Sequence, residues 1–297
     1  MNLYAFYGAI SLGLAYGLMV LGVYITFRVL DFPDLTVDGS LPLGAAVSSV
    51  AIIHGVNPFL SLIPAMLAGF LAGTLTGLLS TKLKILNLLA SIITMTALYS
   101  VNIRIMGRPN IPLINSSTVF DVLAATRLSG IWGTNLILLC FIVIVVLFLM
   151  WLMKTEYGQA LIATGDNPRM LTSQGVNTHF TIITGVGLSN ALVALSGALI
   201  AQNQGVADVS SGIGTIVMGL ASIAIGETIF PSRRVRSAII AVVLGSIVYR
   251  LAIALALNVK IKGFSFTASD LQLITASLVV LALVLPKLKE GLRKKYA

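Results

Sequence analysis

The stretch RVLDFPDLTVDGS, residues 28–40, is the part of the sequence best suited to polar chemistry, because the chain on either side of it is strongly apolar. We name it the polar segment. Its carboxylate and hydroxyl oxygens can either cap helix ends or line a route for a polar molecule, and both interpretations remain open at this stage. The candidate residues are Asp34, Thr36, Asp38 and Ser40.

The composition of the chain indicates the elements that must position these residues. Of 297 residues, 57% are hydrophobic and only 10% are charged, which is typical of an integral membrane protein. We therefore predict an all-α, polytopic transmembrane helical bundle in which residues 1–297 form one domain. The nine apolar segments expected to span the membrane, some of them broken, are Leu3–Phe27, Gly39–Ile53, Pro58–Ser80, Ile85–Ile103, Asn135–Met153, Phe180–Ala201, Val209–Gly226, Ser237–Leu257 and Leu271–Leu285.

The second apolar segment is short for a membrane span. A helix from Ser40 to His54 would be about 22 Å long, whereas the hydrocarbon core is about 30 Å thick. We therefore predict that the polar segment dips into the membrane, where protein or a water-lined cavity must cover its non-helical backbone. A comparable interruption is predicted in the seventh segment, at Gly219, Gly226, Glu227 and Pro231.

The distribution of basic residues predicts the orientation of the chain. Thirteen Lys and Arg residues fall on one side of the predicted spans and five on the other. The richer side is expected to be cytoplasmic, so the N-terminus is predicted outside and the C-terminus in the cytoplasm. This placement accounts for the net charge of +9 without nucleic acid. Arg250 remains within a span, and Glu227 and Arg250 are candidates for an ion pair.

The sequence lacks the residue patterns needed for metal binding, nucleotide binding or hydrolytic catalysis. Cys140 is the single cysteine, and His54 and His179 are far apart, so no metal site is expected. The phosphate-binding pattern GxxxxGK[ST] is absent, and neither histidine neighbours a serine that it could activate. We therefore expect no catalysis by this chain.

The predicted cytoplasmic loop, residues 154–179, carries signals for a short helix. In GDNPRMLTSQGV, Asn167 can cap the helix, Pro168 suits its first turn and Gly175 suits its end. We name residues 154–179 the inner loop and predict a helix over Pro168–Gln174.

Two further patterns concern packing and the predicted route. Gly69, Gly73 and Gly77 lie four residues apart on one helix face, which favours close helix packing. The pattern does not choose between packing within one subunit and packing between two, and we expect the former. Polar residues also recur at helical spacing on the fourth segment, where they could line a polar route or make hydrogen bonds between helices. These residues are Asn87, Thr94 and Asn102.

Two stretches carry a family resemblance. FPDLTVDGSLPLGAAV and TEYGQALIATGDNPRMLTSQGVNTHF resemble the permease subunit of bacterial ABC importers of the branched-chain amino acid and ribose permease family. The inner loop matches that family's motif at Thr155, Gly158, Ala163, Gly165, Asn167 and Gly175. Within the family, DLTVDGS is most similar to a branch linked to tryptophan and tyrosine uptake. GETIFPSRR stands where many relatives have a glycine-rich run.

The resemblance implies an ATP-driven importer in the bacterial cytoplasmic (inner) membrane. Two copies of this chain would form the pore, a separate ABC ATPase subunit would bind ATP and Mg, and an external solute-binding protein would deliver the solute. No cofactor is expected in this chain. The residues implied in ATPase coupling are Gly165, Asp166, Asn167, Pro168, Arg169 and Gly175.

The implied solute is a small polar molecule, with an aromatic amino acid first and sugars or nucleosides next. Few fixed charges in an apolar bundle argue against a highly charged solute. Two other functions remain open. A secondary transporter driven by an ion gradient would use a titratable residue within the membrane, and a membrane scaffold would leave the polar segment without a purpose.

Overall fold

The computed structural model describes residues 3–114, 116–123, 131–231 and 235–258, together with 260–261, 264–265, 275–277 and 279–280. Its helices are α1 (Leu3–Tyr24), α2 (Val37–Ile53), α3 (Pro58–Thr81), α4 (Asn87–Met106), α5 (Ile131–Leu152), α6 (Glu156–Asp166), α7 (Pro168–Ser173), α8 (Thr178–Gln204), α9 (Thr215–Ile229) and α10 (Val235–Asn258). A π-helical turn, Ile25–Val29, extends α1, and 3₁₀ turns cover Val119–Leu123 and Val209–Gly212. The strands are β1 (Asn110–Pro112), β2 (Val206–Asp208), β3 (Lys260–Ile261) and β4 (Phe264–Ser265).

The prediction of an all-α transmembrane bundle is confirmed. Seven helical stretches in the described part of the chain are long and apolar enough to cross a membrane, and α2 is a shorter apolar helix of 17 residues. The predicted ninth span, Leu271–Leu285, lies largely outside the described residues. The count of nine spans and the orientation of the termini stay predictions.

Helix α8 lies at the centre of the bundle, where α1, α2 and α3 pack against it. The glycine face of α3 makes one of these contacts: a Cβ atom at Gly69 would lie 2.4 Å from the Asn190 carbonyl oxygen, and one at Gly73 would lie 2.4 Å from that of Val186. Gly77 approaches the Ile183 main chain in the same way. The prediction that this face packs within one subunit is confirmed.

The crossing of α2 and α8 is equally close and gives a stability prediction. A Cβ atom at Gly197 would lie 1.9 Å from the Leu41 carbonyl oxygen, so Gly197→Val must push the two helices apart. We expect a loss of at least about 1–3 kcal/mol, measured as a lower thermal unfolding midpoint in detergent. Gly8→Val is the matched control, because no atom lies within 4 Å of its added Cβ. Equal midpoints for the two variants would contradict this packing.

The interruption near the seventh segment lies before α9, not within it, so the prediction at Gly219 and Gly226 is wrong. Helix α9 runs without a break from Thr215 to Ile229 and follows the 3₁₀ turn and Gly214, whose φ is +77°. Gly226 packs against the Ala241 carbonyl oxygen of α10, and Gly219 contacts Val23 of α1. Their small size therefore serves helix contacts, while Pro231 follows the end of the helix.

An antiparallel pair of short strands joins two loops at the end of the bundle predicted to be outside. Strand β1 follows α4, strand β2 follows α8, and Asn110 lies opposite Asp208. The Asp208 carboxylate accepts hydrogen bonds from the Ser210 N–H and hydroxyl, each at 2.7 Å, and so caps the 3₁₀ turn. This arrangement fixes the chain that leads back into α9.

Candidate translocation and coupling sites

Most of the polar segment is buried or partly buried, with Arg28 and Asp31 exposed, and its non-helical part covers residues 30–36. The helical part of the chain after α1 ends with the π-helical turn at Val29. The Phe32 N–H then donates to the Thr26 carbonyl at 2.9 Å. Leu30, Phe32, Asp34 and Thr36 are all buried. Helix α2 begins at Val37, three residues before the start used in the length estimate above.

Asp34 lies at the middle of the bundle. Its Oδ2 accepts a hydrogen bond from Asn190 Nδ2 at 2.7 Å, and its Oδ1 accepts one from the Thr36 N–H at 2.9 Å. Asn190 lies about 18 Å along the 27-residue helix α8, close to its midpoint. The Thr36 hydroxyl in turn bonds the Thr76 hydroxyl of α3 at 2.8 Å. Asp34 and Thr36 therefore link the polar segment to α8 and α3 by hydrogen bonds.

Asp38 caps a helix that lies far away in the sequence. Its carboxylate accepts hydrogen bonds from the Gly214 N–H at 3.0 Å, the Thr215 hydroxyl at 2.9 Å and the Ile216 N–H at 2.9 Å. A carboxylate at a helix N-terminus satisfies free N–H groups and is stabilised by the helix dipole. Ser40 is fully buried, and its hydroxyl has no hydrogen-bond partner among the described residues. The geometry favours the capping interpretation for Asp38, whereas Asp34 links the polar segment to α8 without capping a helix, and direct solute contact stays a prediction for both.

A cavity of about 270 Å³ opens beside the start of α2. Asp38 and Asn102 are the members of the predicted route that reach its wall. The lining residues are Asp38, Gly39, Pro42, Met95, Thr96, Tyr99, Asn102, Val209 and Ile213. Tyr99, Met95 and Ile213 carried no signal in the sequence, because an apolar or aromatic side chain on a span can equally face lipid.

The three polar residues of α4 have different surroundings. Asn102 is fully buried and its Nδ2 donates to the Gly39 carbonyl at 3.1 Å. Asn87, at the opposite end of α4, accepts a hydrogen bond from the Ser80 hydroxyl of α3. Thr94 is buried, and its hydroxyl donates to the Ala90 carbonyl of its own helix. Only Asn102 combines a link between helices with a place on the cavity wall.

The candidate ion pair between Glu227 and Arg250 does not form, so this expectation is wrong. Glu227 Oε1 lies 2.7 Å from Arg28 Nε at the end of the π-helical turn. Arg250 lies about 13 Å further along α10 than Ala241, the residue beside the last turns of α9. Its guanidinium instead lies over the Tyr16 ring, 3.8 Å from the centroid, where a cation–π contact stabilises it.

The inner loop contains two helices. The Asn167 Oδ1 accepts a hydrogen bond from the Met170 N–H at 3.1 Å and caps α7, and Gly175 follows the helix with a φ of +85°. The predicted short helix is confirmed, one residue shorter at its end. Asp166, Pro168 and Arg169 are exposed together with the cap. Helix α7 therefore presents a polar and charged surface away from the bundle.

Helix α6 was not predicted, and it connects the inner loop to the polar segment. A Cβ atom at Gly165 would lie 2.0 Å from the Val29 carbonyl oxygen, so the end of α6 rests on the last residue of the π-helical turn. The Tyr157 hydroxyl also bonds the Thr184 hydroxyl of α8 at 2.6 Å. Gly165, a candidate for ATPase contact, thus packs against the polar segment inside the protein. We call this contact between Gly165 and Val29 the α6 joint.

Two solved membrane-protein structures have a fold similar to that of this chain. PsaBC from Streptococcus pneumoniae in complex with a Fab matches with a TM-score of 0.54 and 17% identity, over 94% of this chain and 89% of that one. An inward-facing structure described as a metal-chelate type ABC transporter matches with a TM-score of 0.52 and 16% identity, over 95% and 86% of the two chains.

The sequence family is shown by residues 6–285, which match the model for the branched-chain amino acid transport system permease component. The chain belongs to this family. It is 39% identical over 280 residues to the tyrosine transport system permease protein of Clostridioides difficile (strain R20291), covering 94% of this chain and 90% of the relative. It is 37% identical over 177 residues to an uncharacterised protein of Rickettsia prowazekii (strain Madrid E), covering 59% and 60%. The protein is therefore a multi-pass permease component of the bacterial inner membrane and not an enzyme.

Proposed function

We propose that this chain is the permease subunit of an ATP-driven importer of an amino acid, with an aromatic amino acid as the preferred solute. The observation that carries the proposal is the exposed helix α7, which α6 connects to the buried polar segment through Gly165 and Val29. Such a joint can transmit a movement of a partner subunit to the middle of the bundle. The name of the Clostridioides difficile relative, a tyrosine transport system permease, supports the choice of solute.

The proposed partner at α7 is an ABC ATPase subunit that binds ATP and Mg. The sequence of this chain has no GxxxxGK[ST] pattern, so the nucleotide would be held by that separate subunit and this chain would need no cofactor. Asp166 and Arg169 offer charges of both signs at the surface, and Met170 is 49% exposed. An apolar side chain flanked by charges suits a protein interface.

A second copy of the chain is the proposed partner at α4. This helix is the least apolar of the seven long spans in the described part of the chain, and Ser100 and Arg104 are exposed on it. Polar side chains within spans face protein or water, because lipid gives them no hydrogen-bond partner. A homodimer with α4 near its axis would provide such surroundings, and a solute-binding protein would deliver the solute from outside.

The test of ATPase coupling is Arg169→Glu in vesicles that contain the permease, its ATPase and its binding protein. We expect ATP-dependent uptake to fall about tenfold or more, because a reversed charge at an interface disfavours docking by more than about 1.4 kcal/mol. The matched control is Arg236→Glu, a charge reversal at an exposed arginine in the first turn of α10, where a negative charge suits the helix dipole. Equal uptake by the Arg169 variant and wild type would contradict docking at α7.

The same vesicles test the energy source and the solute. Uptake by the wild-type complex should require internal ATP and should persist when an ionophore collapses ion gradients. Uptake that stops with the ionophore would instead identify a secondary transporter. Labelled tyrosine should be taken up, and unlabelled ribose and adenosine should not compete with it. Competition by ribose or adenosine without amino-acid uptake would replace the proposed solute by a sugar or a nucleoside.

A further inference from the structure

The cavity beside the start of α2 has an apolar wall with an aromatic side chain at its edge. Tyr99 is 55% exposed and Ile213 is 66% exposed, while Pro42, Met95 and Val209 complete the apolar lining. The volume of about 270 Å³ is slightly below the range of about 300–1,000 Å³ that holds a drug-sized molecule. The cavity is therefore large enough for one small molecule, or for the side chain of one amino acid.

Hydrogen bonds within the protein occupy most polar groups on the wall. The two oxygens of Asp38 accept the three bonds from the start of α9, so this carboxylate is engaged and is a weak partner for an ammonium group. The Thr96 hydroxyl donates to the Ile93 carbonyl at 2.8 Å. Among the described residues that line the cavity there is no lysine or arginine. The wall thus offers little to either charged end of a zwitterion.

One acceptor on the wall has no partner. Asn102 is fully buried, its Nδ2 is engaged by the Gly39 carbonyl, and its Oδ1 has no hydrogen-bond partner among the described residues. A buried acceptor without a partner is destabilising, and a donor that enters the cavity would relieve this. The cavity therefore combines apolar surface, an aromatic ring and one acceptor.

We propose that this cavity is a transit site for the side chain of an aromatic amino acid that carries a hydrogen-bond donor on its ring, such as a phenol or an indole. The Tyr99 ring and the Met95 sulfur contact the ring of the solute, and Asn102 Oδ1 accepts its hydrogen bond. The ammonium and carboxylate groups of the solute stay toward the open side of the cavity. This inference rests on the proposed function and adds a specificity-determining site to it.

The site predicts selectivity within the permease itself. A sugar has no apolar ring face large enough to cover Tyr99, Pro42 and Ile213, and its many hydroxyls would lose water against an apolar wall. Leucine fills part of the apolar surface but leaves Asn102 Oδ1 without a donor. Tyrosine and tryptophan satisfy both parts of the wall.

The first experiment compares Tyr99→Leu, Tyr99→Phe and wild type in vesicles with the ATPase and the binding protein. The readout is the ratio of ATP-dependent tyrosine uptake to leucine uptake. We expect Tyr99→Leu to lower this ratio on the order of three- to tenfold through the loss of the aromatic contact, and Tyr99→Phe to keep it. Tyr4→Leu, at a tyrosine that is 73% exposed and outside the cavity, should keep it as well.

The second experiment measures occupancy directly and does not depend on the Tyr99 variants. In the complex with Cys140→Ser, Thr96→Cys places a thiol on the cavity wall for reaction with a small polar thiol reagent. Tyrosine at millimolar concentration should slow the labelling severalfold, and leucine and ribose should not. Ile114→Cys, at an exposed position in the loop after β1, is the control that should react equally with and without tyrosine.

The outcomes separate the site from the proposed function. If the wild-type complex takes up neither tyrosine nor leucine with ATP, the result contradicts both the proposed function and the transit site. If tyrosine uptake is present, but Tyr99→Leu keeps the uptake ratio and tyrosine leaves Thr96→Cys labelling unchanged, the transit site is overturned and the proposed function stands.

Discussion

Replacement of Asp34 by leucine is expected to remove most of the folded protein. The change leaves the Thr36 N–H and one N–H of Asn190 without an acceptor in the middle of the bundle. Each stranded donor costs about 1–3 kcal/mol, so the two together remove roughly 2–6 kcal/mol, a large part of the stability of an ordinary protein. Size-exclusion chromatography and thermal unfolding in detergent measure this loss.

The matched control is Asp34→Asn. An amide oxygen can still accept from the Thr36 N–H, and the new amide N–H can donate to Asn190 Oδ1 if the Asn190 amide turns over, which gives up the Asn190 Nδ2 bond to the Val186 carbonyl. We therefore expect a smaller loss of stability than in Asp34→Leu, with ATP-dependent uptake retained. Loss of uptake in well-folded Asp34→Asn would indicate that a titrating carboxylate is required, as in a secondary transporter. Normal folding of Asp34→Leu would contradict the assigned hydrogen bonds.

Gly165→Val is expected to uncouple the inner loop from the bundle. The added carbon atoms cannot fit 2.0 Å from the Val29 carbonyl oxygen, so the end of α6 must move away from the π-helical turn. Overpacking of this kind costs about 1–3 kcal/mol, and 1.4 kcal/mol shifts a coupling equilibrium tenfold. We expect uptake to fall about tenfold or more, while the amount of inserted protein stays near that of wild type.

Two controls make this result specific. Gly8→Val carries the same substitution where no atom lies within 4 Å of the added Cβ, and it should transport normally. The double variant with Arg169→Glu should lose little more uptake than either single variant, because both changes interrupt one connection. Independent, multiplicative losses would show that Gly165 and Arg169 act separately.

The sequence predicted the features that depend on local chemistry or on length. Asn167 caps the short helix α7, Pro168 suits its first turn and Gly175 follows its end, so these three residues predicted the helix. The apolar segment after the polar segment was too short for an ordinary span, which predicted an interruption of the bundle there. Helix α6 was not predicted. Thr155 caps it by accepting a hydrogen bond from the Gly158 N–H, but one threonine is a weaker signal than the three residues that bound α7.

The partners of the buried charges could not be predicted, because they come from distant parts of the chain. Nothing near Asp34 identifies Asn190, and nothing near Asp38 identifies the start of α9. Arg250 was expected to need a carboxylate, but the ring of Tyr16 lies under its guanidinium instead. Helix propensity also misled the prediction at Gly226. Glycine weakens an isolated helix, but Gly226 lies inside α9, where its small size allows close packing on α10.

The long separation between Asp34, Asp38 and their partners has a consequence for biosynthesis. Asn190 follows Asp34 by 156 residues, and Gly214 follows Asp38 by 176. At a synthesis rate of about 5–20 residues per second, the ribosome needs roughly 8–35 s to produce these partners after the aspartates have emerged. During that time Asp34 and Asp38, just before and at the start of α2, lack their final hydrogen bonds. Complete assembly of the first helices must therefore wait for the arrival of α8 and α9, and a nascent chain that stops before them cannot reach the native packing.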